Sequence, residues 1–484
     1  MGKHITAIDL GSSKIALATG CSTDSGIRIV SYHEVPSAGI RNGEIINIFH
    51  VEQAVSKLIE KAEKDLNEPI DQVILNIGGK FLHKETQSFS VHRPNPMQFI
   101  TAEEIESLTK ARNNTRNNAG EILLEASPIK YTIDEYVGIP YEEAVGMSGN
   151  DIEAEFLMVF GKESLLNYRR QIMDSCNLAI KKAILSPIAA ARAVLTETEL
   201  ENGVVLVDIG KGTTEIVMIK DGIVLDVASL PFAGDSITND IKNVANITYK
   251  CAEEIKIQRG NCCPEIVPEN SRLAIKNQDG IVESEVDMNL MTNVIEDRLI
   301  EIFEAVRHII DNSRWSGKLA SGVVITGGTA YLENIRQLAQ AMLGRNVRLA
   351  APRTAIASDS VEAAFDSYSS VAVGLVLEGF ERRLSHTGDM SSAPKTKPGN
   401  SGQKGFGTLF DDDEKMSKEE AKRLKEEEER RKREEKEKLK EEKRKQKEEE
   451  ERRKREEKEK KAAERNGRGG GFFGQLFGNT DDNA

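Results

Sequence analysis

Residues 204–219 read VVLVDIGKGTTEIVMI, and the fold turns on this stretch. Val204 to Val207 form an apolar, β-branched run suited to a strand buried on both faces. Asp208, Ile209, Gly210, Lys211, Gly212, Thr213 and Thr214 follow as a turn of small residues with one acid at its entrance. A second strand-like run, Ile216 to Ile219, comes next. Such a hairpin leaves backbone N–H groups at its turn that can hold phosphate oxygens. Asp208 would sit beside phosphates that its own charge repels. Its natural use is to hold a water-coordinated Mg²⁺ that bridges to them. Taken alone, the stretch fits an ordinary glycine-turn hairpin equally well.

The same design occurs twice. Residues 5–20 read ITAIDLGSSKIALATG, with Asp9, Gly11, Ser12, Ser13 and Lys14 at the turn. Two such hairpins in one chain imply two similar lobes clamping one triphosphate. Residues 323–329, VVITGGT, form a third strand running into glycines, Gly327 and Gly328 with Thr329 behind them. Glycines there let a planar ligand approach the backbone closely. Glu253 and Lys256 lie three apart on a helical segment and share a face. Two readings of that pair stand: contacts to a ribose and a base, or a surface ion pair.

Length and composition set limits. A chain of 484 residues exceeds one core. A net charge of −13 argues against nucleic acid as the main partner. The five cysteines, Cys21, Cys176, Cys251, Cys262 and Cys263, lack metal-ligand spacing and read as reduced thiols of a cytosol. No signal peptide and no apolar run of about 18 residues is present, so the expectation is a soluble intracellular protein. The first six residues fit a myristoylation pattern, but Ile5 to Ile8 are needed in a core strand.

Periodicity predicts helices over 51–65, 102–112, 164–176, 188–195, 288–310 and 332–343. Extended segments are predicted near 27–35, 72–77, 129–136 and 152–160. Gly234-Asp235 and Thr238-Asn239-Asp240 read as a strand end followed by a capped helix start. The helix after Pro187 is expected to lead straight into residue 204. The expected fold class is α/β, two-lobed. Lobe 1 takes residues 1–83 and 163–200, and an inserted small α+β module takes 84–162. Lobe 2 takes 201–380, with a smaller subdomain near 235–310.

The ordered set DLGSSK, Pro187-Ile-Ala-Ala-Ala191, VDIGKGTTEI, AGDSITNDI, AEEIK, VITGGTAYLENI and SSVAVGLVL resembles the actin, sugar-kinase and Hsp70 superfamily. Within it, the pattern is most similar to the bacterial FtsA family of cell-division proteins. The resemblance covers about residues 1–380. It implies an actin-like (duplicated ribonuclease-H-like) fold that binds ATP and Mg²⁺. Asp9, Gly11, Ser12, Ser13 and Lys14 match its first phosphate loop. Asp208, Gly210, Gly212, Thr213 and Thr214 match its second, and Lys211 within that loop is counted as a further nucleotide-site candidate. Glu253 and Lys256 match positions lining the adenosine, and Gly327, Gly328 and Thr329 match the adenosine loop. Asp9 and Asp208 would hold the Mg²⁺ through water. The implied partners are further copies of the chain in a filament, FtsZ, other divisome proteins and an anionic membrane surface. The implied place is the cytoplasmic face of the inner membrane at the division septum. The helix carrying Arg298 is the expected seat of the acidic FtsZ tail. The rival reading is a small-molecule kinase of the same superfamily.

Two departures bear on catalysis. Hsp70-like and MreB-like members of the superfamily carry Glu before the Pro of the connecting helix, where this chain has Ser186, a poor general base. Ser186 reads more readily as a cap of that helix. Lys211 stands where the family's loop has glycine, and contact with phosphate or with solvent are both open. The expectation is a protein that holds ATP as a structural ligand and turns it over slowly or not at all, with no catalytic residue assigned.

The last hundred residues differ in character. Residues 381–417 read as a Ser/Gly/Pro/Lys-rich linker. Residues 418–465 are almost all Glu, Lys and Arg, and KEEEERRKREEKEK occurs at 425–438 and again at 447–460. Glu-to-Arg/Lys pairs at i,i+4 each add about 0.2–0.5 kcal/mol to a helix. Without an apolar seam this reads as a solvated single helix of roughly 70 Å, or as a charged tether. In residues 466–484, Phe472, Phe473, Leu476 and Phe477 fall on one helical arc with Arg465 and Arg468 just before it. This resembles a short amphipathic membrane anchor; a peptide motif for a protein partner is the alternative.

Overall fold

The computed structural model describes residues 4–380, apart from 81, 114–117, 277–281 and 354. The linker, the charged segment and the Phe472, Phe473, Leu476, Phe477 anchor expected over 381–484 lie outside the described residues.

The chain begins with three strands in a meander, β1 (Ile5–Leu10), β2 (Lys14–Thr23) and β3 (Gly26–Pro36). A short hairpin of β4 (Ile40–Arg41) and β5 (Glu44–Ile45) follows, then helix α1 (Ile48–Leu66) and strand β6 (Gln72–Ile77). Helix α1 forms because Val51, Ala54, Val55, Leu58, Ile59 and Ala62 recur at helical spacing, and those residues are its buried face. Asn47 caps its start by accepting from the His50 N–H, and Asn67 ends it in the left-handed region.

The inserted module contains β7 (Leu82–His92), α2 (Ala102–Asn113), β8 (Glu121–Ile133), β9 (Tyr136–Ile139), the single turn α3 (Tyr141–Ala144) and β10 (Asp151–Lys162). Its sheet runs β7-β10-β8-β9 and is antiparallel throughout. The strand expected over 129–136 is instead two strands with a turn between them. Asp134 sits there at φ 49°, its carboxylate accepting from the Asn150 and Asp151 N–H groups at 2.9 Å.

Lobe 1 resumes with α4 (Glu163–Ser175), β11 (Ala179–Leu185) and α5 (Ser186–Val194). A short helix, α6 (Glu197–Asn202), then intervenes where a direct lead into residue 204 was expected. It buries none of its residues. It is held by a capping box in which Thr196 and Glu199 satisfy each other's backbone N–H.

Lobe 2 repeats the first lobe's plan. Its meander is β12 (Val204–Ile209), β13 (Thr214–Lys220) and β14 (Ile223–Leu230). Helices α7 (Gly234–Ala245) and α8 (Tyr249–Arg259), hairpin β15 (Arg272–Lys276) and β16 (Val282–Asp287), and helix α9 (Met288–Asn312) make the smaller subdomain. Helix α7 has no side-chain cap at its start, contrary to the sequence expectation. The chain returns through β17 (Val323–Thr326), α10 (Ile335–Leu343), β18 (Val347–Leu349) and α11 (Ser370–Phe380). Helix α10 starts later than periodicity suggested, because residues Gly328–Tyr331 form a 3₁₀ turn.

The two lobe sheets have the same order, β11-β6-β1-β2-β3 and β14-β13-β12-β17-β18. In each, an antiparallel meander continues into two parallel strands. This is the duplicated, two-lobed actin-like fold with an inserted α+β domain. Buried on both faces, β1 and β12 carry helices on either side, which explains their continuous apolar runs. Helices α5 and α11 cross in the middle, and the core that contains them continues from lobe 1 into lobe 2. The inserted sheet rests on β14, tied by Lys84–Asp226 and by Arg314–Glu155 at 2.7 Å. Among the described residues, no helix is long and apolar enough to cross a membrane.

Candidate functional site

The turns of β1–β2 and β12–β13 are built alike. The Gly11 N–H donates to the Lys14 carbonyl at 3.1 Å, and the Gly210 N–H donates to the Thr213 carbonyl at 3.1 Å. The two turns face each other across the interlobe cleft. At Gly212 a Cβ would stand 2.8 Å from Ser12 Oγ and 2.9 Å from Asn42 Cα, so the loops meet only because that residue is glycine. Between them lies a cavity of about 790 Å³. Its lining contains every nucleotide-site candidate read from the sequence except Thr214. Thr214 is fully buried behind the loop, its hydroxyl donating to the Phe232 carbonyl at 2.9 Å.

Burial sets the electrostatics. Asp9 and Asp208 are buried at the ends of β1 and β12, facing the cleft. Desolvation lifts the Asp9 carboxyl to about 6 against the opposing pull of Lys14 and Arg169. It lifts Asp208 to about 7, with Asp9 adding to the rise. Asn76 donates to Asp9 Oδ1 at 2.7 Å and accepts from the Leu10 N–H at 2.8 Å, which fixes the Asp9 carboxylate. Asp208 has no hydrogen-bond donor among the described residues. A buried, unpartnered carboxylate opposite a second acid suits a divalent cation. Among the described residues no cluster of three or more ligands forms. A cation there would therefore complete its shell from water and ligand oxygens.

Among the cleft residues that escaped the sequence reading are Asn76, Arg169 and Glu215, which lie around the two acids. Arg169 is buried and donates to the carbonyls of Asn76 at 2.9 Å and Leu165 at 2.7 Å. Burial lowers its guanidinium to about 10. Glu215 is the cross-strand partner of Asp208. Burial pushes it up to about 8, and Asp208 and then Asp9 add to the rise. Only its place directly after the second turn marked it in the sequence.

Ser186 does not cap α5. The N-cap is Leu185, and Ser186 Oγ donates to the Ile77 carbonyl at 3.3 Å and accepts from Asn76 Nδ2 at 3.3 Å. A Cβ on Gly78 would lie 2.8 Å from Ser186 Oγ and would overlap Glu215 Oε1. Glu215 thus brings a carboxyl beside Ser186.

On the opposite wall, Lys256 and Glu253 pair at 2.8 Å inside the cleft, not on the surface. Lys211 lies over the Tyr249 ring at 5.4 Å. Gly327, at φ 92°, is required because a Cβ would overlap Asp208 Oδ1. Thr329 Oγ1 donates to the Gly210 carbonyl at 2.9 Å, tying the third glycine loop to the second hairpin. Arg298 lies away from the cavity on α9, held by Asp240 of α7 at 2.6 Å and by Glu301.

The three raised acids predict a pH dependence. Each binds its proton more tightly when folded than when unfolded, so stability falls as pH rises from the ordinary carboxylate value through the raised one. The unfolding temperature of the ligand-free protein is expected to drop between about pH 5 and about pH 8, then to level off. Glu215→Gln is expected to flatten the upper part of that slope. A profile rising with pH over this range would contradict the burial of these acids.

Comparison with known proteins agrees with the architecture. The family model described as "Cell division protein FtsA" matches residues 205–374. The model described as "SHS2 domain inserted in FTSA" matches residues 79–160, the inserted module. The cell-division protein FtsA of Pseudomonas aeruginosa is 27% identical over 383 residues, covering 79% of this chain and 90% of that protein. FtsA of Escherichia coli K12 is 27% identical over 390 residues, covering 79% and 91%. Among solved structures, a chain of the PilM-PilN type IV pilus biogenesis complex superposes with a TM-score of 0.57 at 16% identity, covering 78% of this chain and 99% of that one. That likeness concerns the fold. The two lobes, the inserted domain at its expected place and the two matching models lead to one conclusion: the chain belongs to the FtsA family of cell-division proteins.

Proposed function

We propose that this protein is an ATP-binding, actin-like adaptor of cell division that polymerises and tethers the FtsZ ring to the cytoplasmic membrane. The observation that carries the nucleotide part is the meeting of two like-built hairpin turns and the Gly327-Gly328 loop around one cavity. Asp9, Gly11, Ser12, Ser13 and Lys14 form the first phosphate-side wall, and Asp208, Gly210, Gly212 and Thr213 the second, with the Lys211 side chain leaving that turn toward Tyr249. Thr214 supports the second loop from behind. Glu253, Lys256, Gly327, Gly328 and Thr329 form the nucleoside side. Mg²⁺ would supply the positive charge between Asp9, Asp208 and the phosphates.

ATP acts here chiefly as a structural ligand, turned over slowly or not at all. Family membership supports the division role, and the partners follow from it: FtsZ, other copies of the chain and further divisome proteins. The helix bearing Arg298 is the proposed seat of the acidic FtsZ tail. Since Asp240 and Glu301 already hold Arg298, a peptide carboxylate would have to replace one of them. Residues 466–484 supply the proposed anchor, weak in one copy and strong when a filament presents many.

Electron microscopy of the purified protein with ATP on anionic lipid monolayers tests the reading. Membrane-bound filaments are the expected result, whereas phosphorylation of a small molecule would favour the kinase alternative. Deleting residues 471–484 is expected to abolish sedimentation with liposomes while leaving ATP binding intact. Unchanged sedimentation would refute the anchor.

A further inference from the structure

Three lysines line the cleft, and their surroundings divide them; the argument rests on the nucleotide reading above. Lys256 Nζ donates to the Gly234 carbonyl at 2.9 Å, Thr238 Oγ1 at 2.8 Å and Glu253 Oε2 at 2.8 Å. An ammonium has three N–H groups, so Lys256 has none left for a ligand. Lys14 Nζ is held by the Tyr32 hydroxyl at 2.7 Å and by Glu34, with the Tyr368 ring 3.7 Å away. Lys211 differs from both. Its ammonium makes no hydrogen bond among the described residues and rests only against the Tyr249 ring, whose hydroxyl is committed to Asp235.

Position narrows what Lys211 can reach. Tyr249, Glu253 and Lys256 are spaced i, i+4 and i+7 on α8 and share a face. The Lys211 ammonium is drawn to that face through the Tyr249 ring. Glu253 gives Oε2 to Lys256 and Thr238, and its Oε1 has no donor among the described residues. One wall therefore offers a cationic donor and a carboxylate acceptor side by side. That combination suits a vicinal diol, in which each hydroxyl both donates and accepts.

We propose that Lys211 is the sugar-specificity residue of this site, leaving the Tyr249 ring to donate to a ribose hydroxyl that faces Glu253. Lys256 is then a positioning residue that fixes Glu253. A site built to pair a sugar hydroxyl discriminates against the analogue lacking it, because its polar groups are left unpaired.

The test is calorimetric binding of Mg²⁺-ATP, 2′-deoxy-ATP and 3′-deoxy-ATP to the full chain and its variants. The unaltered protein is expected to prefer ATP over at least one deoxy analogue by about tenfold or more. Lys211→Met is expected to weaken ATP by about tenfold and bring that analogue within about twofold of it. Lys211→Arg should keep part of the preference. Lys256→Met should weaken ATP, blunt the ribose preference in part and lower the unfolding temperature, since Glu253 and Thr238 lose their partner. The proposal is overturned if Lys211→Met leaves the ribose preference unchanged. It is equally overturned if the loss grows from AMP through ADP to ATP, which would make Lys211 a phosphate ligand. An unaltered protein that binds no nucleotide refutes the underlying reading together with this assignment.

Discussion

Asp208→Asn is expected to weaken Mg²⁺-dependent ATP binding by about two orders of magnitude and, at the same time, to raise the melting temperature of the ligand-free protein. Asp208 is buried, has no hydrogen-bond donor among the described residues and packs against Gly327. Its charge is costly in the empty protein, where desolvation and Asp9 lift its pKa to about 7. Asparagine keeps the shape and removes that charge. Removing one partner of a buried charge pair typically costs about 3–5 kcal/mol, equivalent to roughly two to four orders of magnitude in affinity, and the lower end applies where water can fill the vacated position. In EDTA, where no cation offsets the carboxylate, the variant should bind ATP at least as tightly as the wild type. At about pH 8 the empty wild-type protein carries the ionised acid, so the variant should melt several degrees higher. Titration calorimetry with and without Mg²⁺, and thermal unfolding at that pH, are the measurements. Wild-type Mg²⁺ dependence, or a lower melting temperature, would sink the assignment. Improved stability with impaired function is the pattern of a site under functional constraint.

The second large effect lies away from the cavity. Helices α5 and α11 cross at Gly374, where a Cβ would overlap the carbonyl oxygen and carbon of Ala189. Backbone cannot move aside as a flexible side chain can, so even alanine forces the helices apart. Overpacking a dense core costs about 1–3 kcal/mol, and a backbone clash belongs at or above the top of that range. Gly374→Ala should therefore destabilise the protein by about 3 kcal/mol or more, lowering the denaturant midpoint sharply. Because α5 packs on β12 and β13 and α11 on β1 and β2, the strain also reaches the two hairpins. ATP affinity should fall with stability. The control is Gly317→Ala, at an exposed position with nothing within 4 Å of the added carbon. It should stay within about 0.5 kcal/mol of wild type. Equal effects at the two positions would show that close helix packing is not what requires Gly374.

Much of the molecule was legible because its signals are local. The hairpins at Asp9 and Asp208 carry strand, turn and strand within about sixteen residues, with chemistry and geometry set by neighbours in sequence. The α1 helix was legible for the same reason: its buried face is a simple periodic set. Failures came where a local signal was weak or distant groups set the outcome. Helix α6 has no apolar stripe and exists through a capping box. The strand through Asp134 was broken by carboxylate bonds to residues 150 and 151, far along the chain. Ser186 sits where a cap would, yet its hydroxyl is drawn to Ile77 and Asn76 on a neighbouring strand.

By itself, then, the sequence determined the duplicated lobes, the inserted module and the three glycine junctions. Each depends on which backbone conformations and faces a short run of residues can adopt. Tertiary structure alone decided how the charges are used. It turned Lys14 toward Glu34 and spent Lys256 on Glu253, Thr238 and Gly234. It also brought Glu215 beside Ser186 and left Lys211 against an aromatic ring. The physical reason is that a side chain's pKa and hydrogen bonds depend on desolvation and on partners well over a hundred residues away, as Asp9 is from Asp208. Periodicity along the chain carries no record of either.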